Sequence, residues 1–240
     1  MHGLRSMARP TLPSLRRQVS CDPHRFTLPA YSPPRLNQPS PAASPDSRAL
    51  PERALIAASV SHVLGRRMHP WGLHGLAHWW RVRHNGLLVA DAMGASARVV
   101  TLFAIFHDSH RNDDGADRQH GPRAAAWLAR VRRGQDADCC VVTSDTIRAL
   151  DDGEFESLRV ACERHTGTPR HDDPTVAACF VADRLDLSRV GFRPDPRRMP
   201  APAGLLTDAV IDAAMERERV GLRWAGGAEI ETVWGVREAR

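Results

Sequence analysis

The chain contains no lysine, so apart from histidine every basic residue is arginine. Tyrosine occurs once and asparagine three times. This bias reads as compositional drift, and no single arginine is marked out by its type alone. No apolar run approaches the roughly 18–20 residues needed to span a bilayer. The opening residues also lack the charged-then-apolar layout of a secretory signal. A cytoplasmic protein that does not enter the membrane is the expectation. The five cysteines, Cys21, Cys139, Cys140, Cys162 and Cys179, form no zinc-type CxxC pair, and their scatter suits reduced thiols. Cys162 and Cys179 fall in apolar helical patterns and read as small core residues. No neighbouring motif makes a redox pair of Cys139 and Cys140.

What the chain does have is a net charge of +5, and all of it lies at one end. Residues 1–48 hold seven Arg and two Asp, leaving 26 basic and 26 acidic residues in the remainder. A folded part without net positive charge gives no electrostatic argument for binding a phosphate backbone, and nucleic acid is not an expected partner. The same 48 residues are rich in Pro, Ser and Arg. They bury too little surface to offset their ordering entropy and read as a disordered tail; an Arg-rich, acid-poor start also resembles an organellar leader, but a simple tail or a start assigned too far upstream is the preferred reading. Folding is expected from about Leu50, with a site-bearing helical domain over 50–195 and a C-terminal helical extension over 196–240. At 240 residues the chain is long enough for one sizeable core.

The periodicity is helical throughout. Apolar residues at helical spacing predict helices over Ala54–Leu64, His74–Ala92, Arg98–His110, His120–Arg132, Glu154–His165, Pro174–Val190 and Thr207–Leu222. Asp173 before Pro174 predicts an N-cap followed by a proline in the first turn. Only Cys139–Val142 and Ile230–Val233 offer a weak strand pattern. The class expected is all-α.

Three helices carry residues that an ordinary core would not. Val99 to Phe106 is apolar on almost every side and runs straight into His107-Asp108, and a carboxylate at the end of a buried helix is costly unless something neutralises it. On the sixth helix Val176, Cys179, Phe180 and Leu187 form an apolar stripe, and Asp183 falls on it. Arg184 and Arg189 point elsewhere on a continuous helical wheel, so a metal or a ligating histidine suits Asp183 better. On the second helix His74, His78 and Arg81 share one face at i, i+4 and i+7. That spacing alone is a weak metal signal.

In order, His78 … His107-Asp108 … Asp183 resembles the HD-domain superfamily of metal-dependent phosphohydrolases. His78-Trp79-Trp80-Arg81-Val82 resembles its first-ligand helix. Leu102-Phe103-Ala104-Ile105-Phe106-His107-Asp108 resembles its apolar helix ending in the doublet, and Ala182-Asp183-Arg184-Leu185 its last motif. The resemblance covers roughly residues 54–190 and points to an uncharacterised bacterial branch. It implies an HD-like helical bundle holding one or two divalent ions, manganese, magnesium or iron, and hydrolysis of a small phosphorylated substrate, commonly a nucleotide. His78, His107, Asp108 and Asp183 are then the metal ligands. His120 and His165 occupy the region where binuclear members place further histidines, although the Gly-Tyr-Pro signature of the cyclic-dinucleotide branch is absent.

Mixed histidine and carboxylate ligands suit a hard or borderline divalent cation. Beside Asp108, the candidates for acting on water are His110, Asp113 and Asp114. Arg81, Arg111 and Arg184 are candidates to hold phosphate through forked hydrogen bonds, with His74 on the substrate side. A sensor that binds a nucleotide without turnover is the alternative expectation.

Overall fold

The structure is a computed structural model that describes residues 72–224 together with Ser59, His62 and Val63. The tail 1–48, most of the helix expected over Ala54–Leu64 and the strand candidate at Ile230–Val233 lie outside the described residues. Among the described residues the chain is all-helical, with no strand. Its α-helices are α1 (Leu76–Met93), α2 (Ala97–Phe106), α3 (His120–Arg132), α4 (Val141–Arg148), α5 (Asp152–Arg164), α6 (Pro174–Arg184) and α7 (Asp208–Trp224). Short 3-10 turns cover Leu187–Val190 and Pro196–Arg198. No helix among them is long and apolar enough to cross a membrane.

The apolar helix α2 is the centre of the bundle. All its residues from Val99 to Phe106 are buried, and it packs against α1, α5 and α6. Its start is fixed by polar contacts: Ser96 accepts the Val99 backbone N–H, donates its hydroxyl to Glu154 of α5, and donates its own N–H to Thr175 of α6. Burial on every side leaves α2 one direction in which to deliver polar groups, its C-terminal end. There the Ser109 hydroxyl donates to the Phe106 carbonyl and Arg111 N–H to the Asp108 carbonyl. The helix thereby becomes a tight turn at His107-Asp108, before the turn-forming Asn112-Asp113-Asp114-Gly115.

Two glycines set how closely the helices approach. A Cβ on Gly86 of α1 would meet Val100 of α2 and Ala182 of α6. One on Gly121 of α3 would collide with the Cys162 carbonyl of α5, so that glycine lets His120 and His165 come together. The core is otherwise large and apolar, with Trp79, Trp127, Phe103, Phe106 and Phe180 fully buried. Cys162 and Cys179 lie within it.

The structure departs from the sequence expectations in three places, the first being that the helix expected over Arg98–His110 ends at Phe106. Cys139–Val142 is not a strand; it leads into α4, with Cys140 at the N-cap. The β-branched run suggested extended backbone, but Thr143, Thr146 and Ile147, at helical spacing, are the buried residues, and packing of that face against α3 decides the conformation. The helix expected over Pro174–Val190 stops at Arg184. Asp173 caps its start as predicted, accepting from Thr175 and Val176 N–H. Past Leu185 the chain tightens into the 3-10 turn, ended by Gly191 at φ 84°. With that tightening Asp186 meets His78 and Arg81 of α1, and Arg189 lies beside Asp183.

Candidate metal centre

Four residues from three elements meet in the interior: His78 of α1, His107 and Asp108 at the end of α2, and Asp183 in the last turn of α6. His78, His107 and Asp108 are essentially inaccessible, and Asp183 is nearly so. These are the four residues that the sequence pattern singles out, and the structure brings them together.

The hydrogen bonds behind the rings fix which atoms face the cluster. His78 Nδ1 lies 2.7 Å from Asp186 Oδ2. A carboxylate only accepts, so this nitrogen carries the proton and Nε2 keeps its lone pair. His107 Nδ1 lies 3.0 Å from the Phe103 carbonyl and 3.2 Å from that of Ala104, with the same consequence for its Nε2. Yet the two Nε2 atoms are only 3.0 Å apart, acceptor against acceptor. Asp108 Oδ2 lies 3.5 Å from each of them, and Asp183 Oδ1 lies 3.5 Å from His78 Nε2. Neither carboxylate oxygen has a hydrogen-bond partner, although both are buried.

Both carboxyls are ionised at neutral pH. Burial pushes the Asp183 carboxyl upward, but Arg189, His107, His165 and His78 outweigh it and hold it at about 2. Burial likewise raises Asp108, and the adjacent His107, His120 and His165 bring it well below the usual carboxylate range. Four acceptor atoms thus converge without a donor among them. A proton between the two nitrogens would satisfy that pair and leave both carboxylate oxygens unmet, whereas a cation satisfies all four. Ligands about 2.1 Å from a divalent ion lie about 3.0 Å apart across a right angle and about 3.4 Å apart at the tetrahedral angle. The 3.0 and 3.5 Å separations are edges of such a polyhedron. Within this set, His78, His107 and Asp183 form a group that could hold a metal ion.

A second constellation adjoins the first through the other oxygen of Asp108. Asp108 Oδ1 is 3.0 Å from His120 Nε2 and 3.8 Å from His165 Nε2, and those two nitrogens are 2.9 Å apart. His165 directs Nδ1 to the Cys162 carbonyl at 2.8 Å, leaving its Nε2 as an acceptor. His107, Asp108 and His165 also form a group able to hold an ion. His120 is less sharply defined, because its Nδ1 faces both the Asp117 carbonyl and the Arg111 guanidinium. Burial first, then Asp108, pushes the nearby Cys162 thiol up.

Around this core the structure distributes the remaining candidates unequally. Arg81 donates Nε and Nη2 to Asp186 at 2.6 and 3.0 Å, bracing the carboxylate that orients His78. Arg111 reaches the cluster, with Nη1 3.5 Å from Asp108 Oδ1 and its Nε on the Asp113 carbonyl. Arg184 is elsewhere, donating to the carbonyls of Thr168, Pro169 and Arg198. His74 stands edge-on to His78 with ring centroids 6.1 Å apart, its Nδ1 on Asp114. Burial, more than any neighbouring charge, holds its pKa at about 4. Asp114 also accepts the backbone N–H groups of Leu73 and His74, pinning the turn before α1. Asp113 accepts from Gly115 N–H. His110 packs on Trp127 at 5.1 Å and pairs with Ser109. None of these three is brought into the cluster.

Two residues enter that the sequence reading did not assign. Asp186 is fully buried and holds both His78 and Arg81. Arg189 lies 3.6 Å from Asp183, contrary to the helical-wheel expectation, because the chain has left the helix before reaching it. A second acid three residues past Asp183 was the signal available for Asp186; a wheel drawn through Val190 turned Arg189 away from Asp183. Comparison with protein-family models, curated proteins and solved structures finds no match for this chain.

Proposed function

We propose that this protein is a metal-dependent phosphohydrolase of HD type, acting on a nucleotide or another small phosphate ester. The observation that carries the metal half of the reading is the buried all-acceptor quartet of His78 Nε2, His107 Nε2, Asp108 Oδ2 and Asp183 Oδ1. The phosphohydrolase half is supported by the three ordered motifs that resemble that superfamily, and by a guanidinium, Arg111, at the cluster's edge.

His78, His107, Asp108 and Asp183 would hold one divalent ion, manganese, magnesium or iron. Asp108 Oδ1 with His165 and His120 is placed to take part in a second. Nitrogen and oxygen donors without thiolate suit those ions. When bound, such an ion supplies Lewis acidity and makes water a competent nucleophile near neutral pH. The chain's own groups do the rest. Asp186 and Arg81 lock the His78 tautomer, and the Phe103 and Ala104 carbonyls lock that of His107, so neither ring has to reorganise on binding. The turn after α2 holds Arg111 by the carbonyls of Asp113 and Gly115, presenting a fixed positive charge beside Asp108. Burial excludes bulk water and strengthens each of these interactions.

The test is elemental analysis of the purified protein together with a phosphate-release screen over nucleotides and simple phosphate esters. The expected result is metal-dependent release that Asp108→Ala abolishes without unfolding the chain. A fully active Asp108→Ala protein contradicts the proposal.

A further inference from the structure

Of the guanidinium groups beside the cluster, Arg189 is the one with a buried nitrogen that has no hydrogen-bond partner. Arg81 donates Nε and Nη2 to Asp186, and Arg111 is held by two carbonyls. Arg189 has a side chain only 8% exposed. Its Nη1 donates to the Asp186 carbonyl at 3.1 Å, its Nη2 stands 3.6 Å from Asp183 Oδ1, and its Nε is buried with no hydrogen-bond partner. At 3.6 Å Asp183 supplies charge but not a hydrogen bond. A buried guanidinium with unmet donors is costly by itself, and a fork of N–H groups is the geometry that matches the oxygens of a phosphoryl group.

The charges around the cluster say what that group carries. Each of three buried carboxylates has a guanidinium within 4 Å: Asp186 with Arg81, Asp108 with Arg111, and Asp183 with Arg189. These three carboxylates and three guanidiniums sum to zero, so a divalent cation in the quartet adds an excess of two positive charges where solvent does not screen them. A terminal phosphate near its full dianionic charge compensates that excess, and a phosphodiester, with one charge, does not.

We infer that Arg189 anchors the phosphoryl group of a phosphomonoester, and that the site selects the dianion over diesters. This rests on the metal-centre reading above. The anchor is a chelating contact from the 3-10 turn, on the Asp183 side of the cluster, while Arg111 stands on the Asp108 side.

The test uses the full chain loaded with manganese, excess ion removed, and titrated calorimetrically with inorganic phosphate and with dimethyl phosphate at pH 7.5. The wild type is expected to bind phosphate at least about tenfold more tightly than dimethyl phosphate. Arg189→Gln is expected to weaken phosphate binding about 10–100-fold, the loss of one charged hydrogen-bonding group, while keeping its manganese and its melting temperature. Arg189→Lys, which keeps the charge without the fork, is expected to fall between. Manganese retained with unchanged phosphate affinity in Arg189→Gln overturns the anchoring role alone. Loss of manganese in that variant makes Arg189 a support for the cluster and overturns it too. Equal affinity for dimethyl phosphate in the wild type overturns the dianion selectivity, a comparison that needs no variant. A wild type that takes up no manganese overturns the metal-centre reading and this inference with it.

Discussion

The carboxylates of the quartet, Asp108 and Asp183, and those of the loop after α2 are the same chemical groups, and they have opposite fates. Asp113, Asp114 and Asp117 are met by the chain itself: Gly115 N–H, then Leu73 N–H, His74 N–H and the His74 ring, then Asn112 and Gln119 N–H with Arg123. Asp108 Oδ2 and Asp183 Oδ1 are buried more deeply and are met by no donor. The loop is a set of staples, complete as it stands. The quartet leaves buried acceptors that a cation could meet. What separates a candidate ligand from a structural acid is whether its acceptors are already answered, and residue type says nothing about that.

The largest expected effect comes from exchanging the two classes. Asp183→Ala should abolish metal uptake and phosphate release, while Asp113→Ala in the loop should leave both as they are. An Asp113→Ala protein that loses its metal would erase the distinction. Next comes the residue behind the ligand. Asp186→Asn should weaken metal affinity about 10–100-fold, as loss of a carboxylate behind a ligating histidine does. It should also destabilise the chain, since Arg81 is left buried without its counter-charge. Competition against a chromogenic chelator reads the first effect and urea denaturation the second; unchanged affinity would mean that Asp186 only braces the fold.

A smaller effect is the metal's own contribution to stability. Added manganese at about 100 times its dissociation constant should stabilise the wild type by about 2.7 kcal/mol, and should leave the melting temperature of Asp183→Ala unmoved. Equal shifts in both would place the ion elsewhere. Smallest is a proton effect away from the quartet. Burial, with help from Arg217 and Arg83, depresses the His84 pKa from 6.5 to about 4. Between those values the unfolded chain binds more protons than the folded one. Stability is therefore full above pH 6.5 and is lost as pH falls through 4. The urea midpoint should drop between pH 7 and pH 4.5, and His84→Gln should make that drop shallower. A midpoint indifferent to pH in the wild type would contradict the burial of His84.

Much of this was legible in the residue pattern, for reasons the structure makes plain. An apolar run from Val99 to Phe106 has one end at which polarity can emerge, so His107 and Asp108 announced themselves. Asp183 did so by sitting on an apolar stripe. The fold class followed from the same periodicity. Helix α4 did not, because Val141-Val142-Thr143 has the composition of a strand and only the packing of Thr143, Thr146 and Ile147 makes it helical. Arg189 was hidden by the break after Arg184, which no glycine or proline marks at that point. Arg81 was visible as a polar residue on the site's face, yet its partner lies 105 residues away, and a partner at that separation is not written in local spacing.

The most direct measurement of the central claim is anomalous X-ray diffraction at the manganese edge, on crystals of the full chain grown with that ion. The account predicts a peak about 2.0–2.3 Å from His78 Nε2, His107 Nε2, Asp108 Oδ2 and Asp183 Oδ1 together. Ordered side chains in this arrangement with no anomalous peak among them would contradict it.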